Sequence, residues 1–149
     1  MESREEKMVQ AFGNIFVLAQ RWQTLGDNFL GQWGLTTKQW LLLATIEMSL
    51  GGAARLGEVS GAYGTSYQNV KRIAGDLAEK GFLKIEQDPE DKRALVLTIT
   101  DKNVDFWGRH NEEALEYVRQ LFKTLSDTEV KNFASNIQKL NMQTETLMD

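Results

Sequence analysis

The 149 residues contain no cysteine. That excludes a disulfide framework, a thiol nucleophile and a cysteine-based redox or zinc site. Histidine occurs once, at His110, so paired-histidine metal sites and relays that need a second histidine are excluded as well. No apolar run approaches the roughly 18 residues a membrane span needs. The opening MESREEKMVQ is charged and carries no apolar signal core. These absences lead us to expect no membrane association, metal, cofactor or catalytic residues, and a cytoplasmic setting. Proline also occurs once, at Pro89, so long helices are permitted nearly everywhere. Positive charge is not in excess either. The net charge is −4, which by itself argues against a nucleic-acid partner. Its distribution qualifies that. Residues 1–54 hold 4 basic and 5 acidic side chains, residues 55–102 hold 8 and 8, and residues 103–149 hold 5 and 8. The acidic surplus lies at the ends, and a neutral middle still binds a polyanion when its cations share one surface.

What is present is mostly helical patterning, with no repeat, linker or low-complexity tract. Phe12, Ile15, Phe16, Ala19, Trp22 and Phe29 recur at near-helical spacing and predict a long first helix over 8–30, ended by GQWG. LTTKQW starts a second helix: Thr36 is the expected N-cap, Gln39 completes a capping box, and Leu35 can staple to Trp40. That helix runs to about Met48 and is broken by SLGGAA. A short helix over about 55–62, with Leu56 and Val59 inward, leads into a tight turn at YGT. GTSYQNVKRIAGDLAEKGFL then gives a helix with Thr65 and Gln68 as a capping box and Val70, Ile73, Ala74 and Leu77 as its buried stripe. Gly81 supplies a left-handed stop. The period then changes to alternation in Leu83, Ile85, Gln87 and again in Leu95, Leu97, Ile99, predicting a β-hairpin with a long charged tip, DPEDKRA. Thr100 caps a helix carrying Val104, Trp107, Leu115, Val118, Phe122 and Leu125. Ser126 and Glu129 box the last helix, with Phe133, Ile137, Leu140 and Leu147 along its stripe.

The helix after the tight turn has two unlike sides. Stepping about 100° per residue from Val70 places Gln68, Lys71, Arg72, Gly75 and Glu79 opposite the apolar stripe, with Asn69 and Asp76 on a flank. Gln and Asn grip adenine's edge with two hydrogen bonds, Arg grips guanine, and Lys neutralises phosphate. Thr65 and Ser66 stand at the helix N-terminus, where backbone amides hold phosphate. The short preceding helix and turn are what a helix-turn-helix requires, and Lys92 and Arg93 at the hairpin tip are placed to enter a minor groove. The plain alternative is a solvated polar face, with Asp91 merely pairing with Arg93.

Taken together, LTTKQWLLLATI, TSYQNVKRIAGDLAEKGFL and DPEDKRALVLTIT give residues 35–102 a resemblance to the winged helix-turn-helix of the MarR family of bacterial transcription regulators. In that family the wing reads Asp, then Asp-x-Arg, then Leu-x-Leu-Thr, which fall here on Asp88, Asp91, Arg93, Leu95, Leu97 and Thr98. The resemblance implies one domain over 1–149. Its fold class is mainly α with a small β-hairpin, a winged helix-turn-helix at 35–102 flanked by terminal dimerisation helices at 1–34 and 103–149. It implies a homodimer on a pseudo-palindromic double-stranded DNA operator, usually as a repressor. Thr65, Ser66, Tyr67, Gln68, Asn69, Lys71, Arg72, Lys92 and Arg93 are the candidate DNA contacts. It also implies a small aromatic or anionic effector, with Trp22 and Trp40 as candidate lining; as plain core or dimer residues they need no ligand. SLGGAAR departs from the family's usual link into the short helix, and Tyr67 stands where a small or basic residue is usual.

An enzyme reading gathers little else. GGAARLGE has glycines at 52 and 57 as a phosphate loop would, but Glu58 stands in place of the required lysine, which leaves a connector. The rival to DNA binding is a winged-helix module that binds another protein.

Overall fold

A computed structural model describes residues 1–149. The first helix, α1, runs Arg4–Leu30 and starts earlier than its apolar stripe suggests. The reason is local. Ser3 Oγ accepts from the Glu6 N–H at 3.1 Å and Glu6 Oε2 accepts from the Ser3 N–H at 2.6 Å, a capping box placed in the charged opening. A 3-10 turn, Gly31–Trp33, and left-handed Gly34 (φ 72°) end it. Thr36 and Gln39 then form the expected box at the start of α2, Thr37–Ala44. Where the Thr45 hydroxyl donates back to the Leu41 carbonyl at 2.8 Å, the helix widens into a π-helical stretch, Thr45–Ser49.

The connector expected in GGAARLGE is a correction: it contains a third strand, β1, Ala53–Arg55. Gly51 (φ 74°) and Gly52 (φ 97°) turn the chain through a conformation that side chains disfavour. Ile99 N–H then donates to the Gly52 carbonyl at 2.9 Å. Two alanines and an arginine carry no β-branched signal, so the strand is made by its partner and not by its own propensity. The sheet order is β1-β3-β2, with β2 at Leu83–Gln87 and β3 at Leu95–Ile99, antiparallel throughout. The predicted hairpin is present, with Ile85 facing Leu97 and Gln87 facing Leu95.

Between β1 and the hairpin lie α3, Leu56–Tyr63, and α4, Tyr67–Glu79, joined through left-handed Gly64. Val70, Ile73, Ala74 and Leu77 of α4 are all buried, with Leu35, Leu42, Leu43, Ile46, Leu56, Val59 and Leu97. Gly81 (φ 86°) ends α4 as expected. Thr100 Oγ1 accepts from the Asn103 N–H at 3.3 Å at the start of α5, Asp101–Leu121. The apolar stripe predicted that this helix would reach Leu125. It stops at Leu121 instead, and the chain turns with Leu125 N–H donating to the Phe122 carbonyl at 3.0 Å. The Ser126–Glu129 box opens α6, Asp127–Met148.

The chain forms two compact units, Met1–Asp105 and Phe106–Asp149. In the first, α1 exposes Phe12, Ile15 and Phe16 along one side. In the second, Phe122 meets Phe133 edge to face at 6.1 Å, while Leu115, Val118, Leu140 and Leu147 remain exposed.

Close approach of α1 to α2 rests on Gly26. A Cβ there would lie 2.2 Å from Thr37 Oγ1, whose hydroxyl donates to the Gln23 carbonyl at 3.3 Å while the Thr37 N–H donates to Asp27 Oδ1 at 2.8 Å. Gly26→Ala should therefore destabilise the fold by about 1 kcal/mol, overpacking outweighing alanine's helix preference. Thr37→Ala in the same chain should restore most of the loss. Urea unfolding of the three variants checks this, and equal midpoints for Gly26→Ala and the parent would refute the contact.

Candidate nucleic-acid interface

The N-terminus of α4 sets which side chains are free. Its cap is Ser66, whose Oγ accepts from the Asn69 N–H at 3.2 Å. The expected Thr65–Gln68 box is therefore corrected. With Ser66 at the N-cap the third helical position is Asn69, and Gln68 falls one residue short of a reciprocal bond. Thr65 Oγ1 instead accepts from Asn69 Nδ2 at 3.2 Å. The shift leaves the Gln68 side chain exposed and without a hydrogen bond in the chain.

Asn69 and Arg72 behave as a pair. Asn69 Oδ1 accepts from Arg72 Nη2 at 2.8 Å, so both ends of the amide are engaged, one on Thr65 and the other on Arg72. The Arg72 guanidinium is near Tyr63 too. Burial pushes the Tyr63 phenol above its ordinary pKa and the Arg72 charge opposes that rise. The Tyr63 hydroxyl donates to the Lys38 carbonyl at 3.0 Å. Lys71, like Gln68, is exposed and unengaged. Gly75 has nothing within 4 Å of the place a Cβ would take, so packing within the chain does not require it.

In the wing, between β2 and β3, the carboxylates are structural. Asp88 is buried and accepts twice, from the Glu90 N–H at 2.8 Å and from Arg55 Nε at 2.7 Å. The Glu90 amide, opposed by burial and aided by Arg55, holds the Asp88 carboxyl below its ordinary pKa. A depressed carboxylate keeps its stabilising contribution above its unfolded pKa and loses it only as pH falls through the folded value, below the usual carboxylate range. Asp91 Oδ1 accepts from both the Arg93 N–H at 3.0 Å and Arg93 Nε at 3.2 Å. That is the pairing foreseen as the plain alternative, yet the Arg93 side chain stays 93% exposed. Lys92 beside it is exposed as well.

A cleft of about 590 Å³ separates the wing from the start of α4, lined by Arg55, Glu58, Tyr67, Asp91, Arg93 and Leu95 among others. It brings Tyr67 and Arg93 to one surface. Trp22, half-buried on α1, and Trp40, 40% exposed on α2, are not among its walls. Sequence reading missed Arg55. The only available signal was an arginine directly before a short helix, which says nothing of a partner 33 residues away.

The sequence model of the MarR family matches residues 33–94. Among curated proteins, transcriptional repressor MprA of Escherichia coli K12 is 28% identical over 114 residues, which cover 76% of this chain and 65% of MprA. The chain thus spans under two thirds of that relative's length. Among solved structures, an E. coli MarR mutant complexed with operator DNA aligns with a TM-score of 0.76 at 18% identity, over 93% of this chain and 99% of that one. The organohalide-sensing regulator RdhR in its 2,4-dichlorophenol-bound form aligns with a TM-score of 0.78 at 17% identity, over 99% of this chain and 88% of that one. At those identities the likeness is one of fold.

The cap assignment is open to a direct check without DNA. Ser66→Ala should cost about 1 kcal/mol of stability, the usual loss for a serine N-cap, whereas Thr65→Ala leaves the cap in place and should cost less. Thermal unfolding in which Thr65→Ala is the more damaging change would overturn it.

Proposed function

We propose that the chain is a member of the MarR family, whose sequence model matches residues 33–94, and that it is a homodimeric, sequence-specific regulator of transcription, acting as a repressor on a pseudo-palindromic DNA operator. It works without catalysis, in the cytoplasm. The observation that carries the proposal is the division of α4. Its stripe of Val70, Ile73, Ala74 and Leu77 is buried, while Gln68, Lys71 and Arg72 are exposed. A helix held by one face presents the other at constant depth and angle, which base readout in the major groove demands.

Roles divide among the proposed contacts. Gln68, unengaged in the first turn, is the base reader. Lys71 neutralises phosphate. Arg72 approaches the groove already oriented by Asn69, which Thr65 holds in turn, so Asn69 contributes through Arg72. Ser66 and Tyr67 meet the backbone at the helix start. Lys92 and Arg93 enter the minor groove, where an arginine is drawn to narrow A-tract geometry. Gly75 leaves room for the DNA backbone.

Dimerisation is assigned to segments 1–34 and 103–149, around the winged lobe of residues 35–102. It is supported by the large apolar side chains that remain exposed: Phe12, Ile15 and Phe16 on α1, Leu115 and Val118 on α5, Leu140 and Leu147 on α6. Exposed apolar side chains of this kind are what an obligate interface covers. A small aromatic or anionic effector that relieves repression belongs to the same reading, with Trp22 and Trp40 against it. That RdhR, of like fold, has a form bound to a dichlorophenol supports an effector of this class.

Two measurements test the proposal. On a selected operator, Gln68→Ala should cost about 1–3 kcal/mol and change binding to random duplex little, whereas Lys71→Ala should weaken all duplexes and flatten the salt slope by about one unit. Binding that is absent, or indifferent to salt, favours the protein-binding module instead. In sedimentation the chain should remain a dimer at micromolar concentration, with an interface of roughly 2,000 Å² or more. A stable monomer there refutes the dimer.

A further inference from the structure

Arg55 has no part in the DNA-reading set above, yet its position ties the sheet to the wing. It is the last residue of β1, opposite Val96 of β3, and the N-cap residue of α3, without a side-chain bond to that helix. Its Nε instead reaches Asp88, 33 residues on, at 2.7 Å. Asp88 is the first residue of the wing loop, and its two oxygens serve different masters. Oδ2 takes Arg55, while Oδ1 takes the Glu90 N–H and folds the rising limb of the loop. The Asp88 N–H donates to the Ala94 carbonyl at 2.9 Å, closing the loop at its base. The Asp88 side chain is only 11% exposed, so the pair is partly withdrawn from solvent and salt. Beyond that base the loop is held only by contacts to Asp91, whose carboxylate takes Arg93 and whose carbonyl accepts from the Ala94 N–H at 2.9 Å.

We propose that Arg55 is the positioning residue of the wing: through Asp88 it fixes the loop so that Arg93 projects across the cleft from Tyr67 and α4. A seven-residue loop between two strands of five is free to swing about its base, and an arginine on a swinging loop loses affinity by the fraction of time it is misplaced. A bidentate-capable, permanently charged guanidinium on a carboxylate already committed to the loop's own turn removes that freedom at its root. Arg55 and Arg93 line one cleft, so the pin acts beside the group it aims. This inference rests on the DNA-binding reading for its purpose but not for its geometry.

The test separates the two. In the free protein, trypsin cleavage after Lys92 and Arg93 reports how freely the wing loop opens. Arg55→Ala and Asp88→Asn should both speed that cleavage several-fold, with unchanged circular dichroism. Asp88→Asn keeps an oxygen for the Glu90 N–H and presents an N–H₂ to Arg55, so it removes the pin alone. On operator DNA, Arg55→Ala should weaken binding as much as Arg93→Ala does. The double variant should bind no more weakly than Arg93→Ala alone, within a factor of about two. Losses that multiply in the double variant overturn the proposal, for Arg55 then touches DNA itself. Cleavage rates equal to the parent's also overturn it. Faster cleavage in these variants, when the parent itself binds no duplex, upholds the pin and removes the DNA reading.

Discussion

The arrangement depends on the burial of one stripe, Val70, Ile73, Ala74 and Leu77, none more than 3% exposed. Each such side chain contributes on the order of 1.5–3 kcal/mol when fully buried, alanine less. Together they fix the rotation of α4 about its own axis. A helix so fixed has no choice about what it shows to solvent. Rotation by one residue, about 100°, would turn Lys71 to the direction Val70 now holds and would bury charge without a partner. The polar face is thus specified by the apolar one.

How much of this was legible follows from where the signals lie. The boxes at Thr36–Gln39 and Ser126–Glu129 are local and reciprocal, and both are present as read. The box at Ser3–Glu6 has the same form but sits among charges, ahead of any apolar stripe, so the helix start was placed too late. At Thr65-Ser66 two adjacent residues are both good caps. Periodicity cannot separate them, because a shift of one residue leaves the stripe of α4 intact. β1 was illegible for a different reason: Ala53, Ala54 and Arg55 have no strand preference, and the pairing with β3 that creates the strand spans more than 40 residues of sequence.

The candidate site shows the same split. Gln68, Lys71, Arg72 and Arg93 were identifiable from side-chain type and helical phase, because exposure on a helix or a loop follows from neighbours in sequence. What those side chains are tied to was not. Asn69 looks like a second base reader by its chemistry. Its amide nitrogen and oxygen are 3.2 Å and 2.8 Å from Thr65 and Arg72, which converts it from a reader into a holder. Phase around a helix decides which face a residue occupies and leaves open which neighbour at i±3 or i±4 it engages.

The acidic balance of the chain, −4 overall, takes on a different meaning once its carboxylates are located. Two of those nearest the proposed DNA surface are already committed: Asp88 to Arg55 and the Glu90 amide, Asp91 to Arg93. A carboxylate that orients a guanidinium cancels part of its charge at long range but fixes where that charge is delivered. For a ligand with regularly spaced phosphates, placement decides which contacts form, and the diffuse field chiefly sets how fast they form. Gln68 and Lys71 have no such partner. The surface therefore combines aimed arginines with free amide and ammonium groups. Aimed groups lose little conformational entropy on binding, whereas free ones lose more but adapt to local sequence. Under the proposed function, discrimination between operators accordingly falls to Gln68, and the geometry of approach to Arg72 and the wing.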